Sequence, residues 1–231
     1  VTVPHVSIVI PARDEDESIC RVLENLLKHV AGPREVLVVV DSPDDRTLGK
    51  LGAYWPAVRG LISRYPPSPG NAIRHGIEQA AAPVIVVTMA DGSDDPRQIP
   101  ALVALVESGA AVAAASRYMR GGRHIGGPLL KRILAQAAGQ SLYLLAGTGT
   151  HDATNAYKAY SASFLRRAGI QSSAGLEMGI EMVAKARRMN LRVAEVPTVW
   201  TDRQAGRSHF MTAGWLLSYL RWYLAALGWP L

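Results

Sequence analysis

Short β-branched runs alternating with helical segments constrain this chain more than any other feature of it. Segments 6–10, 36–40, 84–87 and 110–115 are apolar without strict alternation, as expected of strands buried on both faces. Between them, 17–30, 71–81 and 96–107 carry helical spacing and helix-start signals. That order predicts an α/β fold, a doubly wound and mostly parallel sheet flanked by helices. The final third has another rhythm: helices over 131–145 and 176–189, a strand over 191–199, a polar basic loop over 201–209, then an apolar stretch over 212–227. With 231 residues, one large domain suffices. We therefore expect a sheet domain over 1–211 and an appended apolar helix over 212–231.

Open α/β sheets bind ligands outside the carboxyl ends of their strands, and here those ends are acidic. Residues 84–87 run into Asp91, Asp94 and Asp95 just before a helix. Asp95, Pro96 and Gln98 match the N-cap, N1 and N3 positions of a helix start, which gives Asp95 a structural role. Asp91 and Asp94 have no such local role, and clustered carboxylates suit a hard divalent cation that also holds a diphosphate. Three further acidic segments, 11–17, 41–45 and 152–158, fall at other expected strand ends. Several acids on one sheet edge suggest a polar ligand held from several sides.

The formal charge of +6 favours anionic partners. Two glycine-bearing basic loops concentrate it: 116–123, with Arg117 and Arg120 and followed by Lys131 and Arg132, and 202–209, with Arg203 and Arg207. Arginine forks suit phosphate oxygens, and glycine lets backbone approach closely. No nucleic-acid module is visible, so nucleic acid is not expected as a partner. The lone Cys20 fits a reducing compartment, and no signal-peptide pattern is visible from Val1 onward. The 212–227 stretch, with Trp215, Tyr219, Trp222 and Tyr223, is shorter than the roughly 20 apolar residues of a bilayer span. It is either a core helix or an interfacial one, the second helped by the adjacent basic loop. In the interfacial reading Trp215 and Trp222 touch lipid.

Taken in order, the motifs resemble a known family. Ile8-Val9-Ile10-Pro11-Ala12 followed by Asp14-Glu15-Asp16-Glu17-Ser18-Ile19 is similar to the nucleotide-binding start of inverting GT-A glycosyltransferases. The closer likeness is to polyprenyl-phosphate glycosyltransferases typified by dolichol-phosphate mannose synthase. It continues through Asp41, residues 70–74, the Asp91 motif, Ser116-Arg117-Tyr118, residues 152–155, residues 185–188 and residues 203–208. The resemblance implies a GT-A fold in which Pro11, Ala12, Arg13, Glu15 and Asp41 line the base and ribose. Gly70, Asn71, Arg74 and Ala90 would complete the nucleotide-sugar site. Asp91, with Asp94, would hold Mg²⁺ or Mn²⁺. Arg117, Arg120, Arg132, Arg203, Ser208 and His209 would meet donor and acceptor phosphates, and Asp91, Arg117, Asp152 and Arg203 would carry catalysis.

Three positions depart from the family pattern: Met89 replaces the first acid of Asp-x-Asp, Ser93 replaces a glutamine, and His209 replaces a lysine. The resemblance implies a nucleoside-diphosphate sugar as donor, a polyprenyl phosphate as acceptor, and peripheral attachment at the cytoplasmic membrane face. Should the acceptor be a hydroxyl, a carboxylate base is required, and Glu177 and Asp152 are the candidates. A hydroxyl acceptor would suit polysaccharide synthesis, which residues 218–222 faintly echo. A non-catalytic nucleotide-sugar-binding protein is the reading from another class. Arg117 and Arg203 lie in polar loops, where truncation is expected to spare folding.

Overall fold

A computed structural model describes residues 4–202 and 213–230. Its seven-stranded sheet is built from β1 (Val6–Pro11), β2 (Arg34–Val40), β3 (Val58–Ile62), β4 (Val84–Val87), β5 (Val112–Ser116), β7 (Lys158–Ser161) and β8 (Val193–Pro197). Their order is β3-β2-β1-β4-β7-β5-β8. Every pairing is parallel except those of β7, which runs antiparallel to both β4 and β5. A small second sheet pairs β6 (Arg123–Ile125) with β9 (Val199–Thr201).

The apolar runs form the central strands because both faces are covered. β1, β4 and β5 are buried along their whole lengths. One face packs on α1 (Ile19–His29) and α4 (Ile99–Glu107), the other on α3 (Pro69–Gln79) and α7 (Met178–Arg188). α3 starts as its sequence requires: Ser68 Oγ accepts the Asn71 N–H at 3.0 Å, with Pro69 in the first turn. The helix start expected at Asp95 is a 3-10 turn over Pro96–Gln98 that leads into α4, and Asp95 caps it by accepting the Arg97 N–H at 3.0 Å.

The remaining helices are α2 (Leu48–Leu51), α5 (Leu129–Ala146), α6 (Ala162–Ala168) and α8 (Ala213–Ala226). α8 packs on α7 and α5, with Trp222, Ala225 and Ala226 inside the same core as the sheet. Trp222 is only 2 % exposed, beneath Lys185 and Arg221, so it is not available to lipid as expected. The outward side of α8 leaves Leu216, Leu217 and Leu220 exposed. α5 is more open still: Leu129, Leu130, Ile133, Leu134, Leu144 and Leu145 form an exposed apolar stripe at helical spacing. Among the described residues, no helix is long and apolar enough to cross a membrane.

Candidate active site

The reversed strand β7 decides which residues meet. Because it enters the sheet from the edge where β1, β2, β4 and β5 leave it, the turn preceding it lies among their carboxyl ends. Asp41, Asp91, Asp94, Arg117 and Asp152 therefore share one edge, although they span 111 positions of sequence.

On the expected donor side, Pro11 and Ala12 are buried and the Ala12 N–H bonds the Val39 carbonyl at 2.9 Å. The following loop is braced from the β2 side. Asp45 accepts the Asp14 N–H at 3.1 Å and the Thr47 N–H at 2.9 Å, and Thr47 Oγ1 accepts the Glu15 N–H at 3.0 Å. That bracing holds Asp14 at a positive φ of 52°. Glu15 accepts the Ser18 hydroxyl at 2.7 Å, and Arg13 is exposed. Asp41 has a buried Oδ1 with no hydrogen-bond partner among the described residues. Burial holds its carboxyl above the usual range, against the Ser68 backbone N–H and the Arg13 charge.

Gly70, Asn71 and Arg74, the other expected nucleotide contacts, have structural partners. A side chain at Gly70 would collide with the Gly175 carbonyl, so glycine permits the close approach of α3 to the 173–175 loop. Asn71 donates to the Pro66 carbonyl at 2.8 Å, and Arg74 reaches Glu78 at 3.2 Å while lying over the Tyr65 ring.

At the end of β4, Ala90 is buried and Asp91 is nearly so, with Oδ1 accepting the Ser93 N–H at 3.0 Å. Asp94 Oδ2 accepts the Thr88 hydroxyl and the Met89 N–H, each at 3.0 Å, while its buried Oδ1 has no hydrogen-bond partner among the described residues. Burial, and then the Asp91 charge beside it, push the Asp94 carboxyl up to about 7. Two repelling carboxylates and one orphaned oxygen fit a divalent cation. Among the described residues, no group of three or more His, Cys, Asp or Glu could hold a metal ion. Mg²⁺ commonly binds through one or two carboxylates, with substrate phosphate and water as its other ligands.

Arg117 and Asp152 face each other across the edge. Arg117 Nε and Nη2 donate to Asp152 Oδ2 and Oδ1 at 2.7 and 2.9 Å, and the Arg117 backbone N–H adds a third bond at 3.0 Å. The side chains are 9 % and 0 % exposed. Arg117 thus has no loose loop position, which argues against the expectation that its truncation spares folding. Its guanidinium also lies 5.0 Å from the Tyr118 ring centre and 5.9 Å from that of Trp200. Tyr118 bonds His124 Nδ1 at 3.0 Å, and burial, with the Arg117 and Arg132 charges, pulls His124 down to about 4.

The glycines of this loop close it on itself, since a side chain at Gly122 would strike the Ser116 carbonyl. Arg120 is exposed on that turn, and Arg132 lies in the first turns of α5, its carbonyl accepting the Tyr118 hydroxyl at 3.4 Å. Arg203, Ser208 and His209 lie outside the described residues.

Neither candidate base is poised as one. Asp152 has both oxygens on Arg117. Glu177 is buried, its oxygens accepting the Ala174 and Gly175 N–H groups at 3.1 and 2.7 Å.

A mostly parallel sheet with acids and an arginine at its strand tips is the GT-A plan of nucleotide-sugar-dependent transferases. The sequence profile of glycosyl transferase family 2 matches residues 7–169, and the chain belongs to that family. It is 30% identical over 231 residues to undecaprenyl-phosphate mannosyltransferase of Micrococcus luteus, covering 94% of this chain and 93% of that one. It is 27% identical over 216 residues to polyprenol monophosphomannose synthase of Mycolicibacterium smegmatis, covering 87% and 79%. Among solved structures it resembles glucosyl-3-phosphoglycerate synthase of Mycobacterium tuberculosis, crystallised with Mn²⁺, UDP and glucosyl-3-phosphoglycerate. That match has a TM-score of 0.71 and 18% identity, covering 98% of this chain and 81% of that one. The chain is a glycosyltransferase of GT-A fold, similar to polyprenyl-phosphate mannosyltransferases.

Sequence reasoning missed Lys158, Glu195 and Trp200. The signal for the first two was a charge set inside an apolar strand pattern.

Proposed function

We propose that this glycosyltransferase moves a sugar from a nucleoside-diphosphate sugar to the phosphate of a polyprenyl phosphate. One observation carries the reading: the two acids that the sequence offered as bases for a hydroxyl, Asp152 and Glu177, have their oxygens committed to Arg117 and to backbone N–H groups. An acceptor that is already ionised needs neither of them. A phosphate monoester is such an acceptor, because its second pKa near 6 leaves it largely dianionic at neutral pH. The names of the mannosyltransferase relatives support the same acceptor class and favour mannose.

In this reading Pro11, Ala12, Arg13, Glu15 and Asp41 hold the nucleoside. Asp91 and Asp94 hold Mg²⁺ or Mn²⁺, which when bound offsets the charge of the departing diphosphate. Arg117, clamped by Asp152, presents a fixed positive charge to the phosphates. It costs no reorganisation during transfer, the condition under which electrostatic stabilisation is most effective. Arg120, Arg132, Arg203, Ser208 and His209 are the proposed acceptor-side groups.

The apolar stripe on α5 and the outer face of α8, beside Arg120, Arg123, Lys131 and Arg132, suit a peripheral contact with an anionic bilayer carrying the acceptor. We place that contact at the cytoplasmic face.

The test offers GDP-mannose and UDP-glucose to the protein with Mn²⁺ or with EDTA, against a polyprenyl phosphate and the matching polyprenol. Metal-dependent glycosylation of the phosphate alone is expected. Equal glycosylation of the polyprenol replaces this reading with the hydroxyl-acceptor one.

A further inference from the structure

The turn that carries Asp152 is gripped from two sides by charged residues that touch no expected substrate. On one side stands Glu195 of β8, opposite Ala114 of β5 in the sheet register. Glu195 Oε2 accepts the Thr150 hydroxyl at 3.0 Å and the His151 N–H at 2.8 Å, and Oε1 lies 2.5 Å from His151 Nδ1. Thr150 Oγ1 passes the constraint on, accepting the Asp152 N–H at 3.1 Å. The His151 ring is stacked on Tyr143 of α5, 3.7 Å between centres, and Gly139 of α5 sits so close to the His151 carbonyl that no side chain would fit.

On the other side is Lys158 of β7, fully buried. Its Nζ donates to the carbonyls of Asp152 and Ala153 at 3.2 and 3.1 Å, and also to that of Asn155. Asn155 in turn donates to the Ala115 carbonyl at 2.9 Å, two residues before Arg117. Donors and acceptors of one turn are thus held by opposite charges on two different strands. The arrangement fixes the Asp152 carboxylate and, through its two-point bond, the plane of the Arg117 guanidinium. Among the described residues Arg117 Nη1 makes no hydrogen bond, so this clamp sets the direction in which the unshared edge of the fork points.

We propose that Glu195 is a positioning residue for glycosyl transfer, acting on Arg117 through the 150–155 turn, with Lys158 bracing the turn from the opposite side. The proposal rests on the reading that Arg117 meets phosphate during transfer. A carboxylate at 195 whose only purpose is folding would affect all activity alike. One that orients Arg117 matters only while Arg117 has a fork to orient.

The experiment is a double-mutant cycle on turnover, with Glu195→Gln and Arg117→Lys alone and together. It uses whichever of GDP-mannose and UDP-glucose the wild type turns over, Mn²⁺ and a polyprenyl phosphate, well below each variant's melting temperature. Glu195→Gln keeps one acceptor oxygen and the side-chain shape. It is expected to lower kcat about tenfold with the donor KM within about twofold, as for an interaction made in the transition state. In the Arg117→Lys background, where the fork is already lost, the same change should cost less than about twofold. Equal losses in both backgrounds overturn the proposal. Should Glu195→Gln not fold, Thr150→Val, which removes only the hydroxyl relay, takes its place in the same cycle with the same two outcomes. A wild type that glycosylates only the polyprenol defeats the acceptor assignment separately, and the cycle is then read with that acceptor.

Discussion

Arg117→Ala should destabilise the fold, and the size of the effect follows from the burial of its partner. The substitution leaves the Asp152 carboxylate fully buried, with the Arg117 backbone N–H as its remaining bond from that residue. Removing one member of a buried ion pair costs about 3–5 kcal/mol, because the other charge is stranded away from water. For a chain of this length each kcal/mol lowers Tm by about 2–4 °C, so a fall of roughly 6–20 °C is expected. Asp152→Asn should fall in the same range, since it strands the guanidinium instead. Removing both charges, as Arg117→Ala with Asp152→Asn, leaves no unpaired ion. Its cost should therefore be smaller than the two single costs combined, by about 2–3 kcal/mol of coupling. Urea unfolding followed by circular dichroism measures all four proteins. The buried-pair argument is refuted if Arg117→Ala lies within about 1 kcal/mol of the wild type, or if the two changes are additive.

Asp95→Ala should cost about 0.5–2 kcal/mol of stability as a lost N-cap and leave kcat within about twofold. Asp91→Ala should instead lose about a hundredfold or more in Mn²⁺-dependent transfer, measured in the same steady-state assay. Burial pulls Lys158 down to about 7, well below a lysine in the unfolded chain. Between about pH 7 and pH 10 the unfolded state therefore holds a proton that the folded state lacks. Stability should rise with pH across that window by up to about 1.4 kcal/mol per unit. Lys158→Met should flatten that rise in urea titrations at pH 7, 8 and 9. Finally, Leu130→Glu with Leu134→Glu on the exposed stripe of α5 should weaken sedimentation with phosphatidylglycerol vesicles while leaving the melting temperature near wild type.

The parts of this fold that were legible in sequence are those whose cause is local. β1, β2, β4 and β5 are continuous apolar runs, and α3 carries its own cap at Ser68 and its proline at 69. β3 was not legible because an edge strand with Arg59 and Gly60 in its middle needs no apolar run. β7 was hidden for a different reason. Its first residue is a lysine, whose Nζ is met in the centre of the sheet by three carbonyls of the 152–155 turn. The site followed the same rule. Asp95 declared its capping role within four residues, whereas the commitment of Asp152 to Arg117 depends on a contact across 35 positions. An acid at a strand tip and an arginine in a glycine-rich loop each suggested a ligand. Only their meeting shows that one partner of each is the other.

That meeting also changes how the basic loop after β5 can work. A free arginine on a glycine-rich turn would have to order its long side chain each time a phosphate arrives, at a cost of up to about 2 kcal/mol in rotamer entropy. Here the ordering is done when the protein folds, by a carboxylate that the antiparallel course of β7 delivers to the same edge. The buried charges of this region, Arg117 with Asp152 and Lys158 with three carbonyls, weaken the core relative to well-packed apolar residues of the same size. They are consistent with a site in which direction matters more than stability: a guanidinium with two positions fixed has one edge left, and the fold decides where it points.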